Sequence, residues 1–132
     1  MKVLPDTSIW VAYFRRGTGA ASSELDRLLA EKSVVGCGPV LAELLTGAAP
    51  GQRDAVWLAV GTASWAGLDR TGWRRVGEAA GDLRRKGATV PLTDVAIAVA
   101  AVGAEAALWT EDTDFERVSE VLPDLELYRP QR

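Results

Sequence analysis

Short apolar runs alternate with longer stretches of helical period along this chain, the signature of strands and helices laid down in turn as a parallel α/β sheet. Residues 2–5, KVLP, read as a first strand, with Pro5 tolerable because it stands at the strand's end. Asp6-Thr7-Ser8 then caps IWVAYF, a short helix stopped near Gly17. From Ser22 to Glu31, Leu25, Leu28 and Leu29 share one helical face. SVVGC at 33–37 reads as the next strand. Gly38-Pro39 opens a helix through VLAELL, with Gly47 after its end.

AAPGQ is a turn, 52–60 a further short helix, and 62–68 the weakest of the strands. Thr71 to Lys86 carries Trp73, Val76, Ala80 and Leu83 at helical spacing, and Gly87 ends it. Thr93-Asp94 caps VAIAVAAV, which Gly103 terminates; apolar almost all round, that helix belongs in the middle of the molecule. AALWT is a strand, TDFERVSEVL a helix and LELY at 125–128 a last strand. The expectation is one α/β domain over residues 1–132, a central parallel sheet of about 4–5 short strands flanked by helices.

Composition narrows the chemistry. With 132 residues, 48% of them hydrophobic and 25% charged, the chain can build a core and is not disordered. Its single cysteine, Cys37, reads as an inert core residue in a strand. An acid at position six fits no secretory signal, and no apolar run approaches a membrane span, which points to the cytoplasm and no membrane. There is no histidine. That removes Ser-His-Asp and Cys-His catalysis and sites built on imidazole, leaving carboxylates, hydroxyls, Lys, Arg or hard metal ions.

The acids then matter most. Asp6 follows the first strand, Asp112 and Asp114 follow AALWT, and Asp94 begins the apolar helix, all at the edge where open parallel sheets bind ligands. Glu43 sits among Leu41, Ala42, Leu44 and Leu45, an expensive place for an unpaired acid. Singly, each has a plain structural reading: Asp6 and Asp94 as helix caps, Glu43 as a solvated acid, Asp112 and Asp114 as turn residues. Gathered together they repel, at about 4 kcal/mol for two charges about 4 Å apart at an effective dielectric of 20. Such a cluster calls for a counter-ion or raised pKa values. Mg²⁺ or Mn²⁺, one or two ions per site, take oxygen ligands and can activate a water for phosphodiester cleavage without histidine.

The same residues carry a family resemblance that runs nearly end to end. DTSIW at 6–10, PVLAELLTG at 39–47, RRKGATVPLTDVAIAVAA at 84–101 and LWTEDTDFERV at 108–118 resemble, in order, the four motifs of PIN-domain ribonucleases, specifically the toxin subunit of VapBC-type toxin–antitoxin pairs. The resemblance implies a PIN-like fold and metal-dependent endonucleolytic cleavage of RNA. Asp6, Glu43, Asp94 and Asp112 become the catalytic and metal-site acids. Ser8 and Thr110 become hydroxyls that orient carboxylates or water, and Asp114 an auxiliary acid. It implies a homodimer and a cognate antitoxin. Pro5 and Gly38 depart from the pattern, and the Gly/Ala-rich stretch 48–68 puts the usual helical clip in doubt, but no acid is lost.

Positive charge for an RNA substrate is sought first at Arg15-Arg16, next in sequence to the Asp6 loop; Arg74-Arg75 and Arg84-Arg85-Lys86 are further candidates, and each group also reads as a solvated helix end. Of five tryptophans, Trp10 and Trp109 fall in core-like runs, while Trp57, Trp65 and Trp73 lie where one or two face a partner. Among alternatives, a haloacid-dehalogenase-like phosphatase needs a second acid two residues after the first, where Ser8 stands. A receiver domain needs paired acids at the first strand and a lysine after a late one, and no lysine follows Lys86. A catalytically silent PIN-like binding module would have shed an acid. A housekeeping RNA-processing nuclease competes with the toxin; a small chain favours the toxin.

Overall fold

The computed structural model describes residues 1–15 and 20–130. Strand β1 (Val3–Pro5) pairs in parallel with β4 (Ala107–Trp109), Val3 opposite Ala107 and Pro5 opposite Trp109. Strand β2 (Val35–Cys37) pairs in parallel with β3 (Ser64–Ala66). These are two two-stranded sheets, not the single central sheet of four to five strands that the pattern predicts. One bridge, Val3 to Val34, lays β2 beside β1, and the Val3 N–H donates to the Ser33 carbonyl at 2.8 Å. Alternate residues of a parallel strand face the same neighbour, so the next donor toward β2 is residue 5. Pro5 has no N–H, and the ladder stops after one rung.

Proline cuts the other edge as well. Residues 125–128 make a single bridge, Leu127 to Leu108, rather than the predicted last strand. Tyr128 donates its N–H to the Leu108 carbonyl at 2.7 Å. The next residue facing β4 is Pro130, again without a donor. The lateral order is therefore β3, β2, β1, β4, with β1 flanked on both sides.

The helices follow the predicted pattern within a few residues: α1 (Thr7–Arg15), α2 (Ala20–Ala30), α3 (Gly38–Gly47), α4 (Arg53–Val60), α5 (Arg70–Arg85), α6 (Leu92–Gly103) and α7 (Asp114–Val121). A 3-10 turn at Pro50–Gln52 leads into α4, which packs on α3, so the Gly/Ala-rich stretch supplies one α-helix before β3. Asp69 caps α5, its carboxylate accepting from the Gly72 N–H at 2.7 Å, a cap the pattern did not reveal. Gly87, at φ 78°, closes the same helix in the left-handed conformation that glycine adopts freely.

Helix α6 lies where its apolar surround requires: Val95 through Ala101 are all buried. It packs against α3, α5, α7 and β4, which carries its amino end to the carboxyl edge of the strands. Trp10, Trp109 and Cys37 are buried as expected, and burial pushes the Cys37 thiol up to about 11, which makes it a poor nucleophile. Trp57, Trp65 and Trp73 are each about half exposed. No helix among the described residues is long and apolar enough to cross a membrane.

Candidate metal centre

The chain passes from β1 to β2 on one side and later returns to β4 on the other. The crevice beyond the carboxyl ends of β1 and β4 is therefore a topological switch point. Asp6 stands there directly after β1, only 5% exposed. Its backbone N–H donates to the Trp109 carbonyl at 2.9 Å, tying it to the end of β4. The predicted cap is real: Oδ1 accepts from the Ile9 N–H at 3.2 Å and from the Ser8 hydroxyl at 2.5 Å. Oδ2 accepts from the Thr110 hydroxyl. Burial raises the Asp6 pKa above the ordinary carboxylate value, against the lowering pull of Ser8, Thr110 and Ile9.

Thr110 continues the chain of contacts, its Oγ1 accepting from the Asp112 N–H at 2.9 Å. Asp112 Oδ1 in turn accepts from the Asp114 N–H at 2.9 Å, so the loop after β4 folds back on its own acids. Glu43, half-buried on α3, accepts from the Thr7 hydroxyl at 2.7 Å through Oε1. The sequence pattern predicts for Thr7 only a place in the Asp6-Thr7-Ser8 cap. The signal was its position: consecutive helical residues project about 100° apart, so hydroxyls at 7 and 8 serve different neighbours.

Asp94 corrects the expectation that Thr93-Asp94 caps α6. The capping position is Pro91, and no side chain caps the helix. Among the described residues no side-chain donor reaches the Asp94 carboxylate. Half-buried, it is pushed up to about 6, first by burial and then by the charges of Asp112, Glu43, Asp6 and Asp114. Asp94, Asp112 and Asp114 each offer an oxygen, and these lie within 4.8 Å of one another. The auxiliary acid of the sequence reading thus stands in the tightest group, with Asp6 and Glu43 beside it.

Among the described residues, none of these five acids pairs with a lysine or arginine. Ion pairs are made by other acids, at Arg27–Glu24, Arg74–Glu78, Arg75–Asp124, Arg85–Asp82 and Lys86–Glu120. Exposed Arg15, at the end of α1, lines a groove of about 620 Å³ together with Glu43, Phe14 and Val11. Arg16 lies outside the described residues. An uncompensated all-oxygen group of three carboxylates fits a hard divalent cation such as Mg²⁺ or Mn²⁺.

A family model described as PIN domain matches residues 3–121. The chain is 32% identical over 124 residues to VapC ribonuclease Mb1587 of Mycobacterium bovis, spanning 90% of this chain and 92% of that protein. Ribonuclease VapC11 of Mycobacterium tuberculosis matches to the same extent. The fold is similar to that in the crystal structure of VapBC2 from Rickettsia felis bound to a DNA fragment from their promoter, with a TM-score of 0.76 at 23% identity, covering 97% of this chain and 98% of that one.

Proposed function

The chain belongs to the PIN-domain family, among its VapC ribonucleases, and from that premise we propose that it is the endoribonuclease toxin of a type II toxin–antitoxin pair, cutting RNA phosphodiester bonds at the acidic crevice. The observation that supports this reading best is the convergence of acids from four separate chain segments on one crevice, with no cation of the described protein paired to them. Asp94, Asp112 and Asp114 would hold Mg²⁺ or Mn²⁺, with Asp6 and Glu43 completing the site. When bound, such an ion supplies positive charge for the phosphodiester as negative charge develops and lowers the pKa of an attacking water.

The protein's own groups do the rest. Ser8, Ile9 and Thr110 hold Asp6 in one orientation, so that its carboxylate does not have to be reorganised during the reaction. Burial and the charges of the neighbouring acids make the ionised form of Asp94 costly without a counter-ion, so a bound cation would hold it as an ionised ligand. Arg15, on the rim of the groove, meets RNA phosphates. The relatives' solved complexes pair a VapC with a VapB, and a cognate antitoxin and a second copy of this chain are its proposed partners, acting in the cytoplasm.

The test is cleavage of a labelled structured-RNA panel by antitoxin-free protein with Mg²⁺, Mn²⁺ or chelator. Metal-dependent cutting that Asp94→Asn loses supports the assignment. A folded wild type that neither cuts nor is stabilised by either ion overturns it in favour of a binding-only domain.

A further inference from the structure

Two consecutive hydroxyls in DTS serve two different acids. Ser8 donates to Asp6, two residues back, whereas Thr7 reaches across the molecule to Glu43, thirty-six residues on. Thr7 is the first residue of α1, and the Asp6 cap fixes that first turn, so the Thr7 hydroxyl is presented from a rigid support. Glu43 is less constrained. It has three side-chain torsions, and no other described side chain donates to it.

Electrostatics alone would not keep Glu43 at the crevice. Its charge and those of Asp6, Asp112 and Asp114 all press on Asp94, so the acids repel one another. On its other side Glu43 lines the groove of about 620 Å³ that exposed Arg15 also lines, an open space with a cation in it. Repulsion at the crevice and attraction across the groove both favour an outward swing. The Thr7 hydroxyl opposes it, holding Oε1 at 2.7 Å and leaving Oε2 for a ligand.

We propose that Thr7 is a positioning residue of the ribonuclease site, clamping Glu43 toward the acid cluster so that it contributes to cation binding and to cleavage. This rests on the nuclease reading above. Outer hydrogen bonds to metal-site carboxylates set their direction, and their removal costs roughly 10–100-fold in affinity or rate.

The experiment compares wild type, Thr7→Val and Thr7→Ser. It measures Mn²⁺ binding by calorimetry and RNA cleavage resolved into kcat and KM, with folding monitored by circular dichroism. Valine keeps the shape and removes the hydroxyl; serine restores the hydroxyl. The expected result is a loss of roughly tenfold or more in both Mn²⁺ affinity and kcat for Thr7→Val, with RNA KM unchanged and serine recovering both. A folded Thr7→Val protein with wild-type Mn²⁺ affinity and kcat overturns the proposal while leaving the nuclease reading intact. So does a Thr7→Ser protein as impaired as the valine variant, since a merely structural role gives no hydroxyl rescue. Wild type that neither binds Mn²⁺ nor cleaves RNA overturns the nuclease reading and the proposal with it.

Discussion

Asp6 and Asp94 are the same side chain treated in opposite ways by the two halves of one crevice. At the end of β1, Asp6 is almost fully buried, and hydroxyls and a backbone amide occupy both of its oxygens. At the start of α6, Asp94 is half-buried, faces four other acids and receives no side-chain donor among the described residues. Burial raises both pKa values, but only Asp94 owes part of its shift to neighbouring carboxylates. Asp6 is an acid whose orientation the protein completes by itself. Asp94 is one whose charge the protein leaves for something else to balance, and that asymmetry separates the support of the site from its working face.

The largest effect that would sharpen this contrast comes from Asp94→Asn. We expect RNA cleavage to fall by roughly 10²–10⁴-fold. The metal-free protein should become more stable at neutral pH, because the substitution removes one of the mutually repelling charges. Equal loss of stability and activity would erase the distinction between the two acids.

Metal and pH test the same face. Asp94 keeps its proton in the folded state up to about pH 6, while the unfolded chain releases it near 3.8, the ordinary value for an aspartate. The folded state therefore binds more protons between about pH 4 and 6, and stability falls as pH rises through that window. With chelator, the melting temperature should drop across it, and Asp94→Asn should flatten the slope. Saturating Mn²⁺ should reverse the loss at neutral pH, by about 2.7 kcal/mol when present at 100 times its Kd.

Thr110→Val probes the other acid. It strips the donor from Asp6 Oδ2 and the acceptor from the Asp112 N–H, leaving a buried carboxylate oxygen without its partner. A cost of about 1–3 kcal/mol is expected, measured as a lower urea midpoint with or without metal. Glu105→Gly is the remote control and the smallest change. Glu105 precedes β4 at φ 54°, a conformation glycine adopts without strain, so about 0.5–1 kcal/mol of stabilisation should appear with no change in the response to metal.

Much of this was legible in the chain. Helical period located all seven helices of the described residues to within a few positions, because most bury one apolar stripe, α6 is apolar almost all round, and each ends at a glycine, a proline or a polar turn. The acids were legible for a negative reason: without histidine, few other side chains offer chemistry. The sheet was less legible. Four of its strands were legible, but the fifth, at 125–128, makes only one bridge, and continuity turned on which way the missing N–H groups of Pro5 and Pro130 face, a direction that a one-dimensional pattern does not report. The capping reading of Asp94 failed for a similar reason, since Pro91 begins the helix three residues earlier and frees the carboxylate.

What the amino-acid order determined by itself is the inventory: α/β alternation, an α6 apolar almost all round, and acids placed after β1, within α3, at the start of α6 and after β4. These follow from local propensity and period, which act over a few residues. Only the tertiary structure decided which acids meet, that Asp114 joins Asp94 and Asp112, and that Thr7 rather than a neighbour on α3 holds Glu43. Those outcomes depend on distances between segments up to a hundred residues apart, and on burial and mutual charge, which exist only once the chain has folded.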